Sequence, residues 1–192
     1  MSSTATVSPP ATGEDLVPTG AWRVSDDSHI AFTVKGLGRT VRGRFGTFSG
    51  HLVHGPGDGV LASGSVEVAS LDTGIAMRDK HLRSADFFDA ENHPQIAFAS
   101  RRIIPAGDRY DIPGTLTIKG VSEDVSFLGR RLPPSPDDDS GTIRIVAEAT
   151  INRHDFGVTA PQRVELFGVA VGAHVKIALQ IVAVADTRAT IA

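Results

Sequence analysis

The sequence contains no cysteine among its 192 residues. This absence excludes disulfide bonds, thiolate zinc sites, iron–sulfur clusters and cysteine nucleophiles. Basic residues are not in excess either, because 19 lysines and arginines stand against 22 aspartates and glutamates, a formal net charge of −3. Such a balance provides no general attraction to phosphate backbones, so we expect no nucleic-acid partner.

Long apolar runs are also missing. The most apolar stretch, residues 164–185, is interrupted by polar side chains, and between residues 175 and 183 its apolar residues alternate with their neighbours. Alternation is typical of a strand, so we predict no transmembrane segment. Residues 1–20 lack the basic start and apolar run of a signal peptide, which predicts a disordered N-terminal tail on a cytoplasmic protein.

Apolar residues are otherwise plentiful, at 41% of the chain with 21% charged residues, enough for one domain with a sizeable core. Their two-residue alternation recurs between clusters of turn-forming residues. We therefore predict an all-β domain, residues 21–186, built as one eight-stranded antiparallel barrel, with a short C-terminal tail over residues 187–192. The alternation is clearest in four runs: residues 30–34, 64–68, 116–118 and 143–151.

Residues 71–93 depart from the strand pattern. Asp72 or Thr73 is suited to cap a helix whose interior, Ala76 to Arg83, contains good helix formers and no proline. We predict a short helical insertion near residues 74–90 that lies as a plug or lid at one end of the barrel. At helical spacing, one face combines two apolar residues and a carboxylate: Ile75, Leu82 and Asp79.

Familiar catalytic motifs are missing from the sequence. It has neither GxSxG nor HExxH, and the glycines at 36, 38 and 43 do not have dinucleotide-loop spacing. The seven histidines are scattered, and His51 and His54 would lie on opposite faces of a strand. We therefore expect no metal, no cofactor and no enzymatic activity.

Several segments resemble the YceI-like family in the order in which that family contains them, over about residues 21–184. The most specific is the helical block RDKHLRSADFFD, residues 78–89, followed by His93-Pro94. Further matching segments are Trp22 with residues 26–32, VRGRFGTFSG (41–50), LDT (71–73), GTLTIKGV (114–121) and NRHDFG (152–157).

The resemblance implies a lipocalin-like barrel whose cavity binds a polyisoprenoid, an isoprenoid quinone or a similar long-chain amphiphile, such as a fatty-acyl compound. It also implies a homodimer. The apolar positions predicted to face the lumen are Phe32, Val34, Phe45, Val66, Val68, Phe98, Leu116, Ile118, Val125, Phe127, Ile145 and Ile177, with Met77, Leu82, Phe87 and Phe88 from the helical segment. The alternation alone fits a filled core equally well.

Charged residues in two segments allow two interpretations. They either bind a polar head group at the barrel mouth or act as structural ties, in which Asp79 and Asp155 pair with arginines and hold the helix and a late loop to the barrel. These residues are Arg78, Asp79, His81, Arg153 and Asp155.

Three functions follow from the sequence, and the leading one is non-enzymatic binding, in storage or transport, of a long-chain lipid. The second is a structural or interaction protein with a filled barrel. The third is an enzyme that acts on a small amphiphile through His81 and Asp79, although no third catalytic residue stands out.

Overall fold

The computed structural model describes residues 16–36, 39–56, 59–136, 141–159 and 171–186. Most of both predicted tails lies outside these residues, and the division into tails and domain stays a prediction. The described residues form one sheet of twelve strands. They also form the α-helix α1, Ala76–Arg83. The strands are β1 Gly20–Val24, β2 His29–Gly36, β3 Arg39–Phe45, β4 Phe48–His54, β5 Val60–Glu67, β6 Leu71–Asp72, β7 Gln95–Ser100, β8 Ile104–Ala106, β9 Arg109–Ile118, β10 Val121–Arg131, β11 Thr142–Asn152 and β12 Val171–Ala185.

The sheet closes on itself through antiparallel pairing of β1 with β12, in which Trp22 faces Ala185. Both β1 and β2 pair with β12, one after the other along the same edge. In the same way β4 pairs with β1 while β3 pairs with β2, and β5 and β6 continue along β4 and β3. These three interrupted strands and five continuous ones (β7, β9, β10, β11 and β12) make a closed eight-stranded antiparallel barrel, which confirms the predicted fold class.

The break between β1 and β2 is held by hydrogen bonds to β12. The Ser25 amide donates to the carbonyl of Val182 at 2.7 Å. Ser28 is buried, and its hydroxyl both donates to that carbonyl at 3.2 Å and accepts from the Val182 amide at 2.9 Å. Ser28 thus satisfies backbone groups that a continuous strand would otherwise have paired.

Alternating side chains place the core inside the barrel. Burial alternates residue by residue along β9, and along β11 buried isoleucines and alanines alternate with less buried, mostly polar residues. This is the period of two expected for strands with one face turned inwards.

The barrel has two different ends. The helix end carries α1, the β9–β10 turn and residues 153–159 after β11. The N-terminal end carries residues 16–19 and the β7–β8 connection at residues 101–103. In the described part of the chain, no helix has the length and apolar character needed to cross a bilayer.

Helix α1 lies within the predicted helical insertion, residues 74–90, but does not have the predicted cap. Its N-cap is Ile75, which makes no side-chain capping hydrogen bond. The two residues predicted to cap it have other partners, since Asp72 accepts from the Gly74 amide at 2.8 Å and Thr73 binds Asp79. The capping prediction is wrong because the helix begins only at Ala76, so Asp72 in β6 and Thr73 in the following connection lie too far upstream to be its N-cap.

Candidate functional site

A cavity of about 260 Å³ lies inside the barrel. Its wall is made of inward-facing strand residues and of residues from the helical segment, and it is almost entirely apolar. The structure places thirteen of the predicted lumen residues on this wall: Phe32, Val34, Phe45, Val66, Leu82, Phe87, Phe88, Phe98, Leu116, Ile118, Phe127, Ile145 and Ile177. The lumen is therefore hollow along part of its length.

Three of the predicted lumen residues lie elsewhere. Val68 is 1% exposed, but it belongs to a 3-10 turn between β5 and β6, where the strand period is interrupted. Met77 is 77% exposed, because it lies on a different face of α1 from Leu82. Val125 is partly buried against the core without bordering the cavity.

Two aromatic pairs shape the cavity. Phe98 and Phe127 pack edge to face with ring centroids 5.0 Å apart, and Phe32 and Phe45 pack at 5.7 Å. Gly114 lies beneath the Phe98 ring, where a Cβ atom would come within 2.4 Å of the ring. These contacts hold large rings in place along the wall.

Residues of the helical segment close the helix end. Leu82 of α1 and the adjacent Phe87 and Phe88 border the cavity. The Phe88 amide donates to the Leu82 carbonyl at 3.1 Å, and the His81 ring packs edge-on against Phe87 at 5.0 Å. The two adjacent phenylalanines therefore both contribute to this cover.

Arg78 and Asp79, near the start of α1, form hydrogen bonds with Thr73, and neither residue borders the cavity. Asp79 is 6% exposed and accepts hydrogen bonds from the Thr73 amide, at 3.0 Å, and from the Thr73 hydroxyl. The guanidinium of Arg78 donates to the Thr73 hydroxyl at 2.7 Å and to its carbonyl at 2.9 Å. These contacts tie the helix to the connection that follows β6.

His81 and Asp79 have separate partners. His81 Nε2 lies 3.7 Å from a carboxylate oxygen of Asp86, whereas Asp79 is bonded to Thr73. Neither residue borders the cavity. In the part of the chain that the structure describes, no group of three or more histidine or acidic side chains is placed to hold a metal ion.

Arg153 is the only one of the five predicted head-group residues that borders the cavity. Its Nε donates to the Gly172 carbonyl at 3.1 Å, and one terminal nitrogen donates to the Val158 carbonyl at 2.6 Å. Burial lowers the pKa of this guanidinium. The group nevertheless stays protonated at neutral pH, because the ordinary pKa of arginine lies far above neutrality. Asp155 is exposed and accepts from the Asn152 side chain at 3.2 Å.

The cavity wall also contains residues that were not predicted to face the lumen. Most continue the alternation of their strands and were within reach of that signal. Leu16 is different, because it precedes the first strand and has no periodic pattern around it. The additional apolar residues include Leu16, Val24, Ile30, Leu52, Ile96, Ile103, Ile112, Ile151, Val158, Val175, Leu179 and Ile181.

The protein is thus a closed eight-stranded antiparallel β-barrel with an apolar interior cavity and Arg153 at one end of that cavity. A comparison with family models identifies its family within this class. The model of the YceI-like domain matches residues 22–183, and the chain belongs to this family.

Relatives agree with this assignment. A UPF0312 protein of Pectobacterium atrosepticum is 39% identical over 147 residues, which cover 71% of this chain and 76% of the relative. Protein YceI of Salmonella arizonae is 40% identical over 109 residues, covering 53% of this chain and 56% of that protein.

Solved structures have the same fold. BcnA of Burkholderia cenocepacia matches with a TM-score of 0.72 and 28% identity, over 83% of this chain and 98% of that one. A polyisoprenoid binding domain from Saccharophagus degradans matches with a TM-score of 0.68 over 86% of this chain and 98% of that one. At 16% identity, the second likeness concerns the fold alone.

Proposed function

We propose that this protein binds a long-chain amphiphilic lipid, of the polyisoprenoid or isoprenoid-quinone class, inside its barrel and performs no chemistry on it. The observation that carries the proposal is the apolar cavity with Arg153 at its helix end. An apolar chain placed there leaves water, and each methylene buried contributes roughly 0.8 kcal/mol to binding.

The dimensions of the cavity suit a single chain. Its volume of about 260 Å³ is close to the small end of the range of ligand pockets, about 300 to 1,000 Å³. The cavity is framed by rings and branched aliphatic side chains, with no buried carboxylate on its wall among the described residues. A slender unbranched or prenyl chain fits this shape better than a bulky multi-chain lipid.

Arg153 supplies the polar end of the site. A guanidinium is planar and carries several N–H donors, a geometry suited to the oxygens of a quinone, phosphate or carboxylate. The ligand then lies with its head near Arg153 and its tail towards the N-terminal end.

The description of the Saccharophagus degradans domain as polyisoprenoid-binding supports this ligand class. The separation of His81 from Asp79 by their different partners supports binding rather than catalysis. The homodimer and the cytoplasmic location stay predictions, which light scattering and cell fractionation test.

The test is mass spectrometry of an organic extract of protein purified under native conditions. We expect recovery of one long-chain lipid in near-stoichiometric amount from the wild type and its loss from Phe98→Trp, which narrows the lumen. The matched control is Leu61→Trp, which adds the same ring on the outer face of β5, where Leu61 is 50% exposed.

Two results would contradict the proposal. One is an empty wild type that, after delipidation, shows no saturable uptake of any prenyl or acyl lipid. The other is equal lipid recovery from Phe98→Trp and Leu61→Trp, which would place the lipid outside the barrel.

A further inference from the structure

The N-terminal end of the cavity is bordered by a residue that precedes the barrel strands. Leu16 and Val17 are both 0% exposed, although they belong to no strand. Leu16 borders the cavity and packs in the core cluster with Trp22, Leu52 and Ile103 of that end. Residues 16–18 therefore close the lumen at the end opposite α1.

Two side chains of the barrel hold this closing segment. The Nδ1 of His54, a buried residue at the end of β4, donates to the Val17 carbonyl at 2.7 Å. The Nε1 of Trp22 in β1 donates to the Pro18 carbonyl at 3.0 Å. Because β1 and β4 are paired neighbours, both anchors come from the same part of the barrel wall.

Because two hydrogen bonds hold this segment in place, it blocks the N-terminal end of the cavity to a lipid chain that enters from the helix end. The tail of that chain meets the Leu16 side chain, and a longer tail must either displace the segment or leave carbons in water. Each methylene group that stays in water lowers the affinity about fourfold relative to the same group buried in the cavity. Hydrophobic attraction by itself has no length limit, so the limit comes from this closure.

We propose that Leu16 sets the maximum chain length of the lipid bound in the barrel. This inference rests on the proposed function, since it concerns the same cavity. It assigns a specificity role to a residue whose contacts would otherwise be explained as packing alone.

The experiment measures the affinity of delipidated protein for linear prenyl alcohols of increasing length, from two isoprene units upwards, by titration calorimetry. For the wild type, affinity rises with each unit until the tail reaches Leu16 and then stops rising. In Leu16→Ala the plateau moves to a longer alcohol, with a gain of up to about sixtyfold, or fourfold for each of the three carbons removed, for the first alcohol beyond the wild-type limit. In Leu16→Phe the plateau moves to a shorter one.

The matched control is Leu61→Ala, which removes the same atoms from the outer face of β5 and should keep the wild-type profile. A second measurement needs no variant. Trp22 is the only tryptophan and packs in the same cluster as Leu16. Its fluorescence should therefore change with alcohols long enough to reach the stop and stay constant with shorter ones.

The outcomes separate the two proposals. Saturable binding by the wild type with one length profile shared by Leu16→Ala and Leu16→Phe overturns the role of Leu16 alone. Trp22 fluorescence that is insensitive to alcohol length has the same meaning. Absence of saturable binding to any alcohol by the wild type overturns both the proposed function and this inference.

Discussion

Thr73 shows how single residues decide where the helix lies. Its amide and hydroxyl bind the Asp79 carboxylate, and Arg78 binds its hydroxyl and carbonyl. Arg78 and Asp79, predicted either to bind a ligand head group or to act as structural ties, thus hold the helix to the connection that follows β6. The structural-tie interpretation pairs Asp79 with an arginine, whereas within the described residues the hydrogen-bond partner of its carboxylate is Thr73.

The first prediction concerns the buried carboxylate of Asp79. Asp79→Ala leaves the Thr73 amide and hydroxyl without their acceptor, which should lower the free energy of unfolding by about 1–3 kcal/mol. Asp79→Asn keeps one acceptor oxygen and should lose clearly less. Urea unfolding measures both, and equal stability of Asp79→Ala and the wild type would show that these bonds contribute nothing.

A second prediction concerns pH and Asp72. The hydrogen bond from the Gly74 amide, followed by that from Arg44, holds the pKa of Asp72 below its ordinary value of 3.8. A lowered pKa in the folded state means that the stabilisation is fully present above the unfolded pKa and is lost as pH falls through the folded one. In Asp72→Asn, the unfolding midpoint should therefore decline less steeply between pH 5 and pH 2.

The variant Arg44→Ala is the matched control for Asp72. It removes the ion pair of 2.9 Å with Asp72 and keeps the Gly74 hydrogen bond, so its acid-side decline should be intermediate. Parallel pH curves for the wild type and Asp72→Asn would contradict the assignment. The comparison is between the steepness of the pH curves of the variants and that of the wild type. Asp124 and Glu148 also have lowered pKa values, so they add to the loss of stability at acid pH in all of these proteins.

At the scale of elements, the strands were predictable from alternation and their interruptions were not. The period of two is local, and it reveals β9 or β11 from a few residues. The break between β1 and β2 depends instead on Ser28 bonding to Val182, 154 positions away in the sequence. The closing segment at Leu16 was missed for the same reason, since its partners come from strands that follow it.

Strands β7 and β9 lie close together at a glycine, which gives the third prediction. A Cβ atom at Gly114 would come within 2.4 Å of both the Ala99 carbonyl oxygen and the Phe98 ring. Gly114→Ala should therefore force the strands or the ring to shift and cost about 1–3 kcal/mol of stability.

Gly59→Ala is the control for this substitution, because a Cβ atom there meets nothing within 4 Å. Urea unfolding of the two variants checks the prediction. A Gly114→Ala protein as stable as Gly59→Ala would mean that β7 and β9 separate without cost.

For the whole molecule, a hollow interior couples stability to occupancy. The cavity leaves part of the core without packing partners, and a ligand that binds only the folded barrel supplies them. At a free concentration 100 times the dissociation constant, such a ligand adds about 2.7 kcal/mol to the free energy of unfolding.

The fourth prediction follows from this coupling. A prenyl alcohol at that concentration should raise the melting temperature of the delipidated wild type by about 5–10 °C, as expected for a chain of this size. The same shift should occur in Leu61→Trp and be absent in Phe98→Trp. Differential scanning calorimetry measures it, and a shift of equal size in Phe98→Trp would argue against binding in the lumen.

The pairing of β1 with β12 has a consequence for synthesis of the chain. Trp22 is among the first barrel residues to leave the ribosome, and its partner Ala185 is among the last. Until β12 emerges, the nascent sheet has open edges on β1 and β11, and unpaired edges invite pairing with other chains. The hairpin of β9 and β10 can form early, but the barrel can close only after translation of the domain is nearly complete.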